Sequence, residues 1–239
     1  FIGRLSKRIL SDYIPLHATF AEFNEPARFN DRLSGAYRPI MEGEVWGQAW
    51  SNGWFHLHGT VPAAWKGRSV AAQLDFTGEG LVFTPDGMPI QGLSQGSVFD
   101  KEYSRDIVHL YDACKGGEKI DLWVETTGND LFGVNLAMDP DPSDPIKYGR
   151  FESKANRMRL CVFETEMWHL WLDSVTLNGM IKTLPANGVR RSRIIRCFNE
   201  AIDTFADDPA RAQASRSVMQ RELGKPAAPS DLNVLAVGH

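Results

Sequence analysis

Between Val45 and Val162 one pattern recurs: a short run rich in Val, Ile, Leu, Phe and Trp, then a break of Gly, Pro, Asp or Asn, with breaks roughly ten residues apart. Runs of that length and spacing suit an antiparallel sandwich. The spacing predicts strands over Trp54 to Val61, Val70 to Phe76, Gly80 to Phe83, Met88 to Leu93, Ile107 to Leu110, Ile120 to Glu125, Leu131 to Ala137 and Arg157 to Val162. The clearest turn is Thr84-Pro85-Asp86-Gly87, in which Pro presets φ for a type I turn and Gly takes the left-handed conformation that follows.

The flanks have a different period. Leu5, Ile9, Leu10 and Tyr13 fall at helical spacing with Arg4, Lys7 and Arg8 between them, which predicts a short amphipathic helix reaching about Ile14. After Thr165, a wide apolar face from Met167 to Leu184 is broken by Pro185 and Gly188, and a second helix carries Ile194, Phe198, Ala201, Ile202 and Phe205. A third is bounded by Asp208 as cap, Pro209 at the first position and Gly224 at the end. Lys225 to Ser230 reads as a linker, and Val234 to Val237 as a strand buried on both faces, as a parallel sheet or barrel requires. Such a strand has no neighbours in this sequence to pair its amides and carbonyls, so the sequence reads as interrupted there. The expected organisation is a helix and lead-in over 1–44, a β-sandwich over 45–164, a helical linker segment over 165–224, and 225–239 as a linker with the first strand of a further sheet or barrel.

Composition restricts the partners. Hydrophobic residues make up 43% of the chain, enough for a core. The 26 basic against 30 acidic residues give a net charge of -4, which favours neither nucleic acid nor an anionic membrane. The three cysteines, Cys114, Cys161 and Cys197, are far apart, without metal-ligand spacing, and read as buried thiols of a reducing compartment. No apolar run approaches the ~20 residues that span a bilayer and no signal peptide is evident. The expected location is the cytoplasm.

Trp46-Gly47-Gln48-Ala49-Trp50-Ser51, followed by Trp54-Phe55, is similar to the W-G-x-x-W-S-x-x-W-F segment that opens the sandwich of the long-form α-mannosidases of glycoside hydrolase family 38, the cytosolic, vacuolar and bacterial branch. Gly78 to Phe83, Asp86-Gly87, Pro89 to Leu93, Thr127-Gly128-Asn129 and Leu131-Phe132-Gly133 resemble further segments of that family in the same order, as do Glu166, Trp168, Leu170, Asp173 and Leu177 and the stretches Arg190 to Arg193 and Asn199 to Ala201. Gly53 stands where the family usually has a larger residue. The closing Val-Leu-Ala-Val-Gly238-His239 matches the strand that leads into the family's Gly-His-x-His-x-Asp, whose second His and Asp bind zinc. The resemblance implies a jelly-roll sandwich of the galactose-binding-like kind, mainly β, preceding the catalytic domain of a retaining enzyme that hydrolyses terminal α-mannosides. Zinc would belong to that parent enzyme and not to this chain, and His239 would flank the metal without ligating it. The partners implied are the chain's own catalytic domain and, through it, a mannoside, with a homo-oligomer as a further possibility. A free-standing carbohydrate-binding module is the alternative.

Four aromatic residues in the ten from Trp46 to Phe55 invite a functional reading: Trp46, Trp50 and Trp54 could stack on a sugar ring. Burial in the sandwich is the stronger reading, because aromatics dominate buried area. Asp75, Glu79, Asp86 and Asp100 could be paired acids for glycoside hydrolysis, but sit beside turn residues where Asp satisfies backbone amides. No catalytic residue is expected in this chain. His56 and His58 share one face of a strand, a spacing able to hold a metal, with a solvated face the simpler reading. Arg190, Arg191, Arg193 and Arg196 make a basic helix face near Asp203, Asp207 and Asp208, which reads as mixed surface charge or a docking face for the catalytic domain.

Overall fold

In the computed structural model, residues 1–48, 50–94, 104–128 and 152–226 are described. They fall into two units, Leu10–Phe163 and, as one body, Phe1–Ile9 with the residues from Glu164 onward.

The first unit is the sandwich. Its six-stranded sheet has the order β3-β2-β5-β10-β7-β8, from β2 (His17–Phe23), β3 (Arg38–Ile40), β5 (Asn52–Thr60), β7 (Glu79–Phe83), β8 (Pro89–Ser94) and β10 (Lys119–Thr127). Facing it is the sheet β1-β12-β6-β9, from β1 (Leu10–Pro15), β6 (Val70–Asp75), β9 (Ile107–Tyr111) and β12 (Arg157–Phe163). A small pair joins β4 (Val45–Gln48) to β11 (Glu152–Lys154). All pairs are antiparallel. The period of two decides the core: Phe55 and Leu57 on β5, with Leu122 and Val124 on β10, point inward, while Leu74 on β6 and Met158, Leu160 and Val162 on β12 join the same cluster. The predicted hairpin is present, with Gly87 at φ +91 and its amide bonded to the Thr84 carbonyl at 3.0 Å.

The structure corrects the start of the sequence reading. The helix covers only Ile2–Ser6, and the sandwich begins at Leu10, not Val45. Leu10 to Pro15 is extended because it pairs with β12, from Leu10↔Phe163 to Pro15↔Arg159, with a bulge where Asp12 takes φ +39. A pairing across about 150 positions outweighs the weak local helix signal. Strand β2 also lies in the stretch assigned to a lead-in. Its register with β5 runs from His17↔His58 to Phe23↔Asn52.

A second feature without a sequence signal is the strap between β2 and β3. Phe29 lies 5.8 Å from Trp54 and 5.3 Å from Phe83, Tyr37 meets Trp123 edge-on at 5.8 Å, and the Arg32 guanidinium sits 3.5 Å above Phe29 and 4.4 Å above Trp123. The outer face of the six-stranded sheet therefore carries its own aromatic cluster. Burial there pushes the Tyr37 hydroxyl up to about 12, opposed in part by Arg32.

In the second unit, α1 (Ile2–Ser6) packs with α2 (Thr165–Thr183), α3 (Val189–Phe205) and α4 (Ala212–Leu223) around Leu5, Leu170, Leu177, Ile194, Phe205 and Met219. Phe1 meets Phe198 and Phe205 edge-on at 5.9 and 5.8 Å. Asp208 caps as expected, its carboxylate accepting from the Ala210 amide at 3.0 Å, with Pro209 opening a 3-10 turn before α4. Arg216 ties α4 to α2 by donating to Asp173 at 3.0 Å and Glu166 at 2.8 Å.

Candidate functional site

The three tryptophans of the W-G-x-x-W-S-x-x-W-F segment go to three different places. Trp46 on β4 is 3% exposed and enters the inter-sheet core, its indole nitrogen donating to the Phe76 carbonyl at 2.7 Å and its ring meeting Phe55 edge-on. Trp54 on β5 is 1% exposed and points to the outer cluster, donating to the Ala27 carbonyl at 3.0 Å. Trp50 lies in the connection between them and is 72% exposed. Of the three, Trp50 alone is exposed to solvent.

The connection is pinned from several directions. The Ser51 amide bonds the Gln48 carbonyl at 3.1 Å and the Gln48 amide bonds Ser51 Oγ at 3.0 Å. The Trp50 amide bonds the Gly128 carbonyl at 2.5 Å, and the Gly128 amide returns to the Ser51 carbonyl at 2.8 Å. Ser51 Oγ donates to Glu22 Oε1 at 2.9 Å, bringing in a carboxylate from β2. Trp50 itself holds φ +69, a left-handed conformation uncommon for a bulky residue. An open groove of about 500 Å³ runs beside it, lined by Glu22, Asn24, Gln48, Trp50 and Ser51 among others.

The other candidate groups are engaged elsewhere. Asp75 accepts from the Thr77 amide and from Asn156, both at 3.1 Å, and Asp106 accepts from Gln73 at 2.9 Å. These two, with Glu79 and Arg157, line a cleft of about 230 Å³ beside the β6–β7 connection. Asp86 accepts from Thr84 Oγ1 at 2.5 Å, which holds its carboxyl below the usual range. Asp100, Leu131 to Gly133, Gly238 and His239 lie outside the described residues.

His56 and His58 do share the outer face of β5. The His56 ring stacks on Trp123 at 3.8 Å and 8°, Nε2 stands 2.8 Å from Asp121 Oδ1, and His58 meets His56 edge-on at 4.3 Å. Burial first, then His56 and His17, lower the His58 pKa against the pull of Asp121. Among the described residues, no three potential ligands converge on a metal position. Sequence reasoning missed Asp121 and His17, which reach this patch only across strands.

On α3, Arg191 donates to the Ile181 carbonyl at 2.9 Å, while Arg190, Arg193 and Arg196 form no ion pair among the described residues. The neighbouring acids are used otherwise: Asp207 pairs with Arg8 at 3.2 Å and Asp208 is the cap. All three cysteines are free and buried, and burial pushes the Cys161 thiol up to about 11.

Residues 13–157 match the family model for the jelly-roll domain of α-mannosidase. Among characterised proteins, the chain is 27% identical over 232 residues to α-mannosidase 2C1 of Homo sapiens, covering 93% of this chain and 21% of that protein. It is 26% identical over 217 residues to α-mannosidase G of Dictyostelium discoideum, covering 90% and 19%. The chain thus spans about a fifth of the length of these relatives. Among solved structures, a β-glucuronidase from Ruminococcus gnavus superposes with a TM-score of 0.42 at 14% identity, over 64% of this chain and 28% of that one.

Proposed function

The chain belongs to the α-mannosidase jelly-roll family, and from that premise we propose that it is the accessory sandwich, with adjoining helices, of a zinc-dependent retaining enzyme that hydrolyses terminal α-mannosides. The observation that carries the reading is the family match across the sandwich, joined to relatives about five times longer that bear an α-mannosidase name. In this reading the sandwich is of the galactose-binding-like kind and serves as scaffold, and the catalytic domain is contributed by the rest of the polypeptide.

The donor sets of the described residues do not fit a zinc ion: His56, His58 and Asp121 do not converge on one position. The ion that the family resemblance implies is assigned to residues outside this chain. Glycoside hydrolysis with retention needs two carboxyl groups about 5 Å apart across the scissile bond. Asp75, Asp86 and Asp106 already accept hydrogen bonds from their own surroundings and are assigned structural roles. A cytoplasmic location, suited to three free buried thiols, and a homo-oligomeric assembly complete the proposal.

The test compares the 239-residue chain with the polypeptide extended along its own coding sequence, using 4-nitrophenyl α-mannoside. The chain alone releases no nitrophenol. The extended protein does, loses activity on chelation and regains it with zinc. An extended protein that cleaves no α-mannoside would end the assignment.

A further inference from the structure

We infer that the Trp50 groove is a binding site for a neutral hexopyranoside, with the indole face of Trp50 as the platform on which the sugar ring lies. The argument begins with backbone cost. A non-glycine residue at φ +69 is strained, and glycine would relieve the strain at once. Here the position carries the largest side chain available and leaves it 72% exposed. Neither the core nor the turn gains from an indole at that point.

The backbone that carries the platform is also hydrogen-bonded on both sides. The amide bond to Gly128, the Ser51 turn and the Ser51–Glu22 contact fix the backbone on both sides, and Asn52 Nδ2 donates to the Trp50 carbonyl at 3.2 Å. A ligand that lands on it does not have to order the loop first. An aromatic with few rotatable bonds in a preformed concavity is a common construction for recognition.

The polar groups define the ligand. Trp46 and Trp54 spend their indole N–H on backbone carbonyls, whereas that of Trp50 has no acceptor among the described residues. Around it stand the carboxylate of Glu22, of which Oε1 is bonded to Ser51, and the amides of Gln48 and Asn24. Planar carboxylate and amide groups can each serve pairs of hydroxyls. Among the described residues the lining holds a carboxylate and no Lys, Arg or His, which disfavours an anionic sugar, a phosphate or a nucleic acid. An apolar ring face with hydroxyls at its edge, uncharged, is the chemistry that remains. The choice of mannoside as first probe rests on the proposed function above, whereas the groove itself does not.

The experiment follows the indole N–H signals of the 15N-labelled 239-residue chain by NMR, with the Trp50 signal identified by its loss in Trp50→Gly. Methyl α-mannoside, methyl β-glucoside and glucuronate are titrated separately. The Trp50 signal should move saturably with a neutral glycoside at a Kd on the order of millimolar, at least tenfold weaker for glucuronate. Trp50→Gly should abolish binding with the thermal midpoint unchanged or raised, and Glu22→Gln should weaken it several-fold. Saturation by the glucoside alone supports the groove and counts against the mannoside reading only. Absence of saturation with every neutral glycoside up to about 100 mM overturns the inference, as does binding that survives in Trp50→Gly. So does a Trp50 signal that moves only when the rest of the polypeptide is supplied, which would mark a contact between domains.

Discussion

Gly53→Ala is the most informative substitution in the sandwich. A Cβ built at Gly53 would lie 2.2 Å from Phe20 Cε2, 2.7 Å from Phe20 Cζ and 2.9 Å from the Ala21 carbonyl oxygen. Carbon atoms pack at about 3.5 Å or more, so the ring would have to retreat by about 1.3 Å. It has little room, because Phe20 is 2% exposed and wedged against Phe55 at 4.7 Å and Trp46 at 5.5 Å. The carbonyl belongs to the paired neighbour strand and moves only with the ladder. Overpacking of this kind costs about 3 kcal/mol at the upper end of its usual range. The alanine recovers at most about 1 kcal/mol by restricting the unfolded chain. The net loss is about 2 kcal/mol, or about 4–8 °C in midpoint for a domain of this size. Urea denaturation followed by circular dichroism and tryptophan fluorescence measures it, with Gly92→Ala as the control. There the nearest atom is 3.9 Å away, and the change should stay within about 0.5 kcal/mol. In a Phe20→Leu background the cost of Gly53→Ala should fall below half. A midpoint unmoved by Gly53→Ala, or a cost identical in both backgrounds, refutes the steric account.

Trp46→Phe should destabilise the sandwich by about 1–3 kcal/mol, because it strands the buried Phe76 carbonyl, whereas Trp50→Phe should stay within about 0.5 kcal/mol in the same assay. The lowered pKa of His58 means that the unfolded state binds its proton first as pH falls, so stability present above about 6.5 declines as pH drops through that value toward the folded pKa. His58→Gln should flatten the fall of the thermal midpoint between pH 7.5 and pH 5, and parallel curves for the two proteins would count against it. With Cys161 held near 11 and all three thiols buried, a thiol reagent at pH 8 should label the native chain slowly and modify all three cysteines in urea. Rapid labelling of the folded chain would contradict the packing.

The strands that sequence patterning finds are those whose two faces differ and whose ends carry turn residues. Between Trp54 and Val162 the expected strands on described residues all appear within about two positions of their limits. Strand β2 was illegible for a physical reason: Ala18 and Phe20 face the inter-sheet core, but Phe23 packs in the outer aromatic cluster, so the alternation of apolar and polar is erased. The strap that causes this, from Asn24 to Tyr37, is polar enough to pass for a solvent loop. Strand β1 was lost to the opposite ambiguity, since Leu5, Ile9, Leu10 and Tyr13 fit a helix until the pairing with β12 is known. At the candidate site, the spacing of Trp46, Trp50 and Trp54 suggested one cluster. A turn between the first and last of them sends the side chains to three environments, and Glu22 joins the groove from 29 positions away. The match to the family was legible in the order of motifs, which does not depend on knowing where any side chain points.

The chain leaves the helical unit after Ile9 and comes back at Glu164, where the Glu164 amide bonds the Ile9 carbonyl at 2.8 Å. In topological terms the sandwich is an insertion: its 154 residues, Leu10–Phe163, interrupt the helical unit, whose two segments are joined by that bond. The helical core takes Phe1 and Leu5 from ahead of the sandwich and its other residues from behind it, so it is completed only after the whole insertion has been synthesised.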